Sequence, residues 1–202
     1  RTMNRGVETK DKALNCTFKL AKAYDTGEVF NDEISKFSSG PEMIVIPAGA
    51  FVMGSKQNAN SLPLRTVTVM KPFAVSRFEV SFADFQLFLD SRNSFRNPPN
   101  DNKWGRGSRP VINVSWHDAK EYVRWLSKKT KQPYQLLSEA QWEYMAAAGS
   151  KGEHWWPGVA HNNANCRRGC KSKFSGLFGS QTAPAGFYPP NPVGVYDTSG
   201  NV

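Results

Sequence analysis

The sequence predicts an α+β domain with short strands, two to three helices and much irregular structure. Three observations lead to this prediction: strand-like runs between residues 43 and 80, helix-start patterns between 81 and 141, and a loss of periodicity after 150. Strands that precede helices, rather than alternate with them, are typical of the α+β class. A length of 202 residues favours one domain, or two at most.

The composition excludes several other classes of protein. Hydrophobic residues make up 39% of the chain and charged residues 21%, which excludes disordered, collagen-like and coiled-coil chains. No apolar stretch reaches the length of about 18 residues that a membrane span needs. The net charge is +9, but the densest basic group, at residues 128–131, fits a solvated helix end better than a phosphate-binding track. We therefore predict no nucleic-acid partner and no membrane span.

The first 40 residues differ in pattern from the rest of the chain. Thr9 has the character of a helix cap, and apolar residues follow it at helical spacing, at Leu14, Phe18, Ala21 and Tyr24. Residues 38–41, which are serine, glycine and proline, then interrupt the helical pattern. We predict an accessory N-terminal helix and linker at 1–40 and the main domain at 41–202.

Runs of β-branched and aromatic residues predict the strands. They are residues 43–46, 50–53, 66–70, 73–75 and 78–80. Between the first two runs, Pro47, Ala48 and Gly49 have the composition of a turn in which glycine takes a positive φ.

Three helix starts share one pattern, a serine followed three residues later by an acid or amide. The pairs are Ser81 with Asp84, Ser115 with Asp118, and Ser138 with Gln141. In such a capping box the two side chains accept hydrogen bonds from backbone N–H groups that the helix leaves unpaired. Gly149 is expected to end the third helix.

The chain after residue 150 has the composition of loops. A loop region of this length is usually functional, or is held by a metal or a disulfide. Within it, Trp155 and Trp156 are compatible with an exposed binding platform or with a buried lid over the tail, and both interpretations stay open.

The cysteines allow three interpretations. Cys166 and Cys170 are compatible with a local disulfide, with a metal half-site completed by His154 or His161, or with free thiols. The disulfide is favoured, because zinc needs four ligands and only those two histidines are near in sequence. Cys16 is expected to be a small buried apolar residue.

Other polar residues that resemble catalytic groups have structural explanations. His117 fits a surface or capping position in the first turn of a helix better than the position of a base. Ser115 and Ser138 act as caps in this interpretation. Glu139 and Glu143 lie one turn apart, but Glu139 stands where the helix dipole favours an acid.

Five blocks carry a resemblance to a known family. They are residues 41–55, 73–80, 109–126, 136–144 and 192–202. In this order they resemble the formylglycine-generating enzyme family, the sulfatase-modifying-factor domain. The fourth block is the most specific, and the last ends in Gly200, Asn201 and Val202, which resemble the start of the family's Gly-Asn-Val-Trp-Glu-Trp signature.

The resemblance implies a C-type-lectin-like, formylglycine-generating-enzyme-like fold whose C-terminal part is missing from 41–202. It also implies that Trp116, Trp125 and Trp142 are core rings, and that a downstream segment or a protein partner completes the fold. Family members that oxidise a sulfatase cysteine use a copper-binding cysteine pair downstream of the Gly-Asn-Val signature. Cys166 and Cys170 lie upstream of that signature with a different spacing, so we assign them no catalytic role, and copper is expected only with a downstream pair.

The resemblance also implies calcium sites. Asn165 and the carbonyl of Cys166 match the first half of one site, and a second site is expected to begin at Asn201. Calcium needs several oxygen ligands, with carboxylates among them. Between Glu153 and the end of the chain the acids are Glu153 itself and Asp197, neither at the position that the resemblance requires.

Three functions follow as hypotheses. The first is a non-catalytic formylglycine-generating-enzyme-like domain that acts in binding or regulation, since similar domains occur in bacterial signalling proteins attached to kinases or to secretion-system regulators. The second is a fragment of the metal-dependent oxidase, and the third is a lectin-like ligand-binding receptor domain. A cysteine pair in the downstream sequence would favour the oxidase. The local cysteine pair favours a periplasmic or extracellular location over the cytoplasm.

We predict that Cys166 and Cys170 are bonded to each other and that Cys16 is free. The short loop between them limits the gain in stability to about 2 kcal/mol. Thiol labelling under denaturing, non-reducing conditions is expected to modify one cysteine. Labelling of all three would contradict the prediction, and bound zinc would favour the metal half-site.

Overall fold

The computed structural model describes residues 24–56, 59–92, 97–152, 154–158, 162–166, 172–176 and 179–202. Its strands are β1 (Val29–Phe30), β2 (Glu33–Ser35), β3 (Ser38–Ser39), β4 (Met43–Ile46), β5 (Gly49–Met53), β6 (Arg65–Val69), β7 (Phe73–Ser76), β8 (Ser175–Gly176) and β9 (Gly179–Ser180). Its helices are α1 (Phe82–Asp90), α2 (Trp116–Thr130) and α3 (Glu139–Ala147). These elements confirm the predicted α+β class.

The strands form small antiparallel sheets. β4 lies between β1 and β7 in a three-stranded sheet, and β5 pairs with β6. β4 and β5, which flank Pro47, are therefore not paired with each other. Gly49 does not have the positive φ expected of a turn residue. Glycine is needed at this position for another reason, because a Cβ would collide with the hydroxyl of Tyr144.

Residues 78–80, predicted as a strand, form the link between β7 and α1 instead. Their backbone forms hydrogen bonds with a loop rather than with a neighbouring strand. The carbonyl of Val80 accepts from the N–H of Val111 at 2.8 Å, and the N–H of Phe82 donates to the carbonyl of Arg109 at 2.9 Å.

Residues 24–40, which the sequence analysis assigned to an accessory segment, pack on the domain. β1 joins the three-stranded sheet, Ile34 of β2 packs against the core beside α2, and Tyr134 donates to Asp32 at 2.7 Å. The predicted helix, apart from Tyr24, lies outside the described residues.

All three predicted capping boxes are present. Ser81, Ser115 and Ser138 each accept from the N–H three residues on, and the acid or amide at that position accepts from the serine N–H. α3 ends at Ala147, and the next two residues, Ala148 and Gly149, have left-handed conformations. None of the helices in the described ranges is long and apolar enough to span a membrane.

One core cluster holds α1 against α2. Phe85 and Phe88 of α1 pack on Tyr122 and Leu126 of α2. Their ring centroids lie 5.6 and 5.9 Å from that of Tyr122. Aromatic rings bury a large area and prefer such tilted or offset contacts. The serine caps fix where both helices begin, so the apolar faces meet in register.

A second core cluster joins the sheet, α3 and the tail. It contains Ile44 and Ile46 of β4, Met145 of α3, and Val195. Buried Asn191 holds the tail in place, because its side chain donates to the carbonyl of Met145 at 2.9 Å and accepts from the N–H of Val195 at 3.0 Å. The irregular tail is therefore part of the core.

The tryptophans differ from the expectation. Trp125 is half-buried and contacts Phe88 and Tyr122, but 63% of Trp116 and 50% of Trp142 are exposed. Trp116 begins α2, where its ring contacts His117 and Lys120 instead of a core cluster. The expectation that Trp116 and Trp142 are core rings is wrong for the described residues.

We expect Leu126→Ala to lower the free energy of unfolding by about 2–5 kcal/mol, because Leu126 is only 1% exposed and its removal leaves a cavity between α1 and α2. The matched control is Leu87→Ala on α1, where the side chain is 38% exposed and the expected change is about 0.5 kcal/mol. Urea denaturation measures both. Equal losses for the two variants would contradict this assignment of the core.

Candidate functional site

A network of side-chain amides joins three distant parts of the chain around Asn201. Its Oδ1 accepts from Nδ2 of Asn165 at 3.0 Å and from the N–H of Ala183 at 2.7 Å. Its Nδ2 donates to Glu79 Oε2 at 2.6 Å and to the carbonyl of Ala183 at 3.2 Å. Its own N–H donates to the carbonyl of Asn165 at 2.8 Å. One side chain thus connects the link before α1 with two segments of the tail.

Asn165 is the second centre of the network, and it is buried. Its Nδ2 also donates to the carbonyl of Gln181 at 2.8 Å, and its Oδ1 accepts from the Ser172 hydroxyl at 2.7 Å. The Tyr188 hydroxyl donates in turn to Ser172 Oγ at 2.8 Å. Where the chain is irregular, no strand ladder pairs the backbone N–H and C=O groups, so side chains form hydrogen bonds with them instead.

The backbone at the end of the tail is shaped for this contact. Gly200 and Asn201 have φ values of 84° and 76°, in the left-handed region that favours glycine and tolerates asparagine. A Cβ on Gly200 would collide with the carbonyl oxygen of Asn165. Glycine is therefore required for the approach that lets Asn201 reach Asn165.

Two carboxyl groups lie beside the network. Burial raises the pKa of Glu79 from its ordinary value of 4.5 to about 8, the negative charge of Asp197 adds to the rise, and hydrogen bonds from Asn201 and Val202 oppose it. Burial also raises the pKa of Asp197, against a hydrogen bond from the N–H of Gly186 at 2.6 Å. Glu79 is thus largely protonated near neutral pH.

The hydrogen bonds of the network engage side-chain oxygens that the resemblance assigns to calcium, and calcium binding stays a prediction. Asn165 Oδ1 already accepts from a hydroxyl, and Asn201 Oδ1 accepts two N–H donors. Among the residues that the structure describes, no group of three His, Cys, Asp or Glu side chains is placed to hold a metal.

The sequence-predicted cysteine site is described only in part. Cys166 takes part in a disulfide bond. Cys170, Cys16 and His161 lie outside the described residues, so the pairing of Cys166 with Cys170 stays a prediction. His154 stacks on Trp156, with centroids 4.6 Å apart and planes 6° apart.

The two adjacent tryptophans occupy different environments. Trp156 is buried and Trp155 is half-buried, with their rings edge to face at 5.1 Å. A buried ring cannot form half of an exposed platform, so the contacts of Trp156 favour the lid. Binding by Trp155 stays a prediction.

The remaining candidates have structural contacts. Glu143 accepts from the N–H of Gly54 at 2.7 Å and so ties α3 to the end of β5, while Glu139 lies exposed in the first turn of α3. Ser115 and Ser138 are occupied as caps. Sequence reasoning missed Glu79 and Asp197, because no sequence pattern marks the burial that raises their pKa values.

Comparison with known proteins agrees with this architecture. Residues 30–202 match the sulfatase-modifying factor enzyme 1-like domain, which covers most of the chain. The chain belongs to this family. PvdO from Pseudomonas aeruginosa, a solved structure, superposes with a TM-score of 0.73 at 34% identity, over 89% of this chain and 74% of that one.

Two curated relatives carry the same domain within longer proteins. The formylglycine-generating enzyme of Mus musculus is 28% identical over 82% of this chain and 59% of its own length. The serine/threonine-protein kinase Pkn1 of Chlamydia trachomatis is 30% identical over 87% of this chain and 29% of its own length. The chain thus spans about three fifths of one relative and less than a third of the other.

We expect the free energy of unfolding to fall as the pH rises from about 4.5 to about 8, because folded Glu79 keeps a proton that the unfolded chain releases. Glu79→Gln stays neutral throughout and should flatten this dependence, leaving the part of the same sign that comes from Asp197. Urea denaturation across this pH range, in the presence of a chelator, measures the effect.

Glu33→Gln is the matched control, since Glu33 lies exposed on β2 and its replacement should leave the pH dependence unchanged. The same slope in wild type and Glu79→Gln would show that Glu79 ionises normally in the folded protein.

Proposed function

We propose that this domain acts in binding or regulation, in bacterial signalling or a secretion-associated system, and that the described residues do not form a catalytic centre. The observation that carries the proposal is the closed network around Asn201. Its amide groups and Glu79 are engaged with one another or with backbone, and this engagement holds the tail against the domain.

The other candidate groups support the same conclusion. A nucleophile or base must reach a substrate with a free lone pair or proton. Ser115 and Ser138 cap helices, Glu143 holds β5, and the described thiol group, that of Cys166, is oxidised to a disulfide. These side chains stabilise the fold. The domain is therefore proposed to act through its surface, by binding a partner.

The similarity to Pkn1 supports a regulatory setting, because that relative is named as a kinase and the matched part is less than a third of it. We propose a protein partner, such as a kinase or a secretion-system regulator, or a downstream segment that completes the fold. The disulfide at Cys166 supports a periplasmic or extracellular location.

The alternative is a part of a formylglycine-generating oxidase, and the similarity to the mouse enzyme favours it. In that case a copper-binding cysteine pair must come from residues other than Cys166, whose sulfur is already bonded. The domain described here then supplies the scaffold for that pair.

We expect no conversion of cysteine to formylglycine when the protein is incubated with copper and a cysteine-containing sulfatase-type peptide. Mass spectrometry of the peptide detects the change from thiol to aldehyde. An active formylglycine-generating enzyme on the same peptide is the positive control, and conversion by this protein would overturn the proposal in favour of the oxidase.

A further inference from the structure

The 106–110 loop and the tail meet at two aromatic rings, each with a cation over it. Phe174 and Phe187 lie edge to face with centroids 5.0 Å apart. The guanidinium of Arg109 lies 5.4 Å from the centroid of Phe174, and Nζ of Lys173 lies 4.8 Å from that of Phe187. We call these four residues the cationic patch.

The backbone holds the cationic patch in place from both sides. The N–H of Ala185 donates to the carbonyl of Ser108 at 2.9 Å, which joins the tail to the loop. The carbonyl of Arg109 accepts from Phe82 at the start of α1, and the carbonyl of Phe174 accepts from Gln181 at 2.8 Å. The patch is thus preorganised, which lowers the entropy cost of binding.

Arg109 differs from the other arginines that lie over aromatic rings in the described residues. Arg77 pairs with Glu42, Arg92 with Glu121, and Arg106 with Asp101. Within the described ranges Arg109 forms no ion pair, and its Nη1 is buried without an acceptor. A buried donor on a charged group is costly when unsatisfied, so the guanidinium of Arg109 is the one in this set whose charge the described chain leaves uncompensated.

The charge of the surrounding chain adds to this effect. No acidic residue occurs between Glu153 and Asp197, whereas residues 167–173 include four basic ones. The carboxyl group of Asp197 is partly buried and accepts from Gly186. By sequence, the segment that carries Lys173 is thus positive, and such charge attracts anionic groups over a distance of about 10 Å.

We propose that the cationic patch is a docking surface for an acidic segment of a partner protein, with a carboxylate on Arg109, a second anionic group near Lys173, and apolar contact on Phe187, which is 41% exposed. This deepens the binding role proposed above and rests on it. Because Nη1 is buried, the carboxylate binds the other edge of the planar guanidinium, where Nε and Nη2 allow two parallel hydrogen bonds.

A protein segment fits the patch better than a nucleic acid does. Binding to nucleic acid usually needs several phosphate contacts and free aromatic faces for stacked bases. The patch offers two cations, and these cations already cover the faces of Phe174 and Phe187. An acidic segment needs only a small number of carboxylates and an apolar side chain.

The test is fluorescence anisotropy with a fluorescein-labelled, glutamate-rich peptide that contains one phenylalanine. We expect binding that weakens with added salt, and no binding of the same peptide with glutamine in place of glutamate. Arg109→Gln should raise the Kd about tenfold. Lys173→Gln should raise it about two- to fivefold, since Lys173 is exposed.

The matched control is Lys36→Gln, because Lys36 also lies over a phenylalanine ring, that of Phe37, in an exposed position far along the chain from the patch. It should leave the Kd unchanged. Arg109→Lys, which keeps the charge but loses the paired hydrogen bonds, should bind between wild type and Arg109→Gln. Should Arg109→Gln fail to fold by circular dichroism, the surface variant Lys173→Gln decides the case.

Several outcomes would overturn the proposal: no binding of the glutamate peptide by wild type, equal loss in Lys36→Gln and Lys173→Gln, or tighter patch-dependent binding of a labelled oligonucleotide. A failure of the proposed function would appear in a different experiment, as conversion of the cysteine peptide to an aldehyde. Without such conversion, a lack of peptide binding removes the docking surface and leaves the non-catalytic assignment in place.

Discussion

The side chain of Asn201 is the constraint on which the tail of this domain depends. Apart from the two-residue strands β8 and β9, the described parts of the tail have no strand ladder to pair their backbone groups. An asparagine side chain offers both a donor and an acceptor in one plane. Asn201 uses both, with Asn165 and Ala183 on one side and Glu79 on the other. Asn191 likewise uses both its donor and its acceptor, and it joins the tail to α3. In the tail of this domain, side-chain amides pair backbone groups that a sheet would pair elsewhere.

This dependence explains why Glu79 is tolerated in a partly buried position. A charged carboxylate there would be costly beside Asp197, but the protonated form is compatible with burial and still accepts from Asn201. In the same arrangement the side-chain oxygens of Asn165 and Asn201 accept hydrogen bonds that hold the tail in place.

Local sequence patterns predicted the helices well and the pairing of strands poorly. The capping boxes at Ser81, Ser115 and Ser138 are local, so the residues that define them lie within one turn. Whether β5 pairs with β4 or β6 depends on distant chain, and the burial of Trp142 depends on what covers α3. Physical reasoning alone missed the site. Asn165 and Asn201 were identified through the family resemblance, whereas the ionisation of Glu79 follows from tertiary burial.

The distance along the chain between the partners of the network also sets an order of events during synthesis. Glu79 and Asn201 are 122 positions apart in sequence. On the ribosome, where N-terminal parts emerge first, the Phe85–Tyr122 cluster has all its members long before Val195 and Asn201 appear. Until then the inner face of β4 and the link before α1 stay open to chaperones and to neighbouring nascent chains. The amide contacts that make the tail stable in the finished protein therefore form after the contacts between α1 and α2.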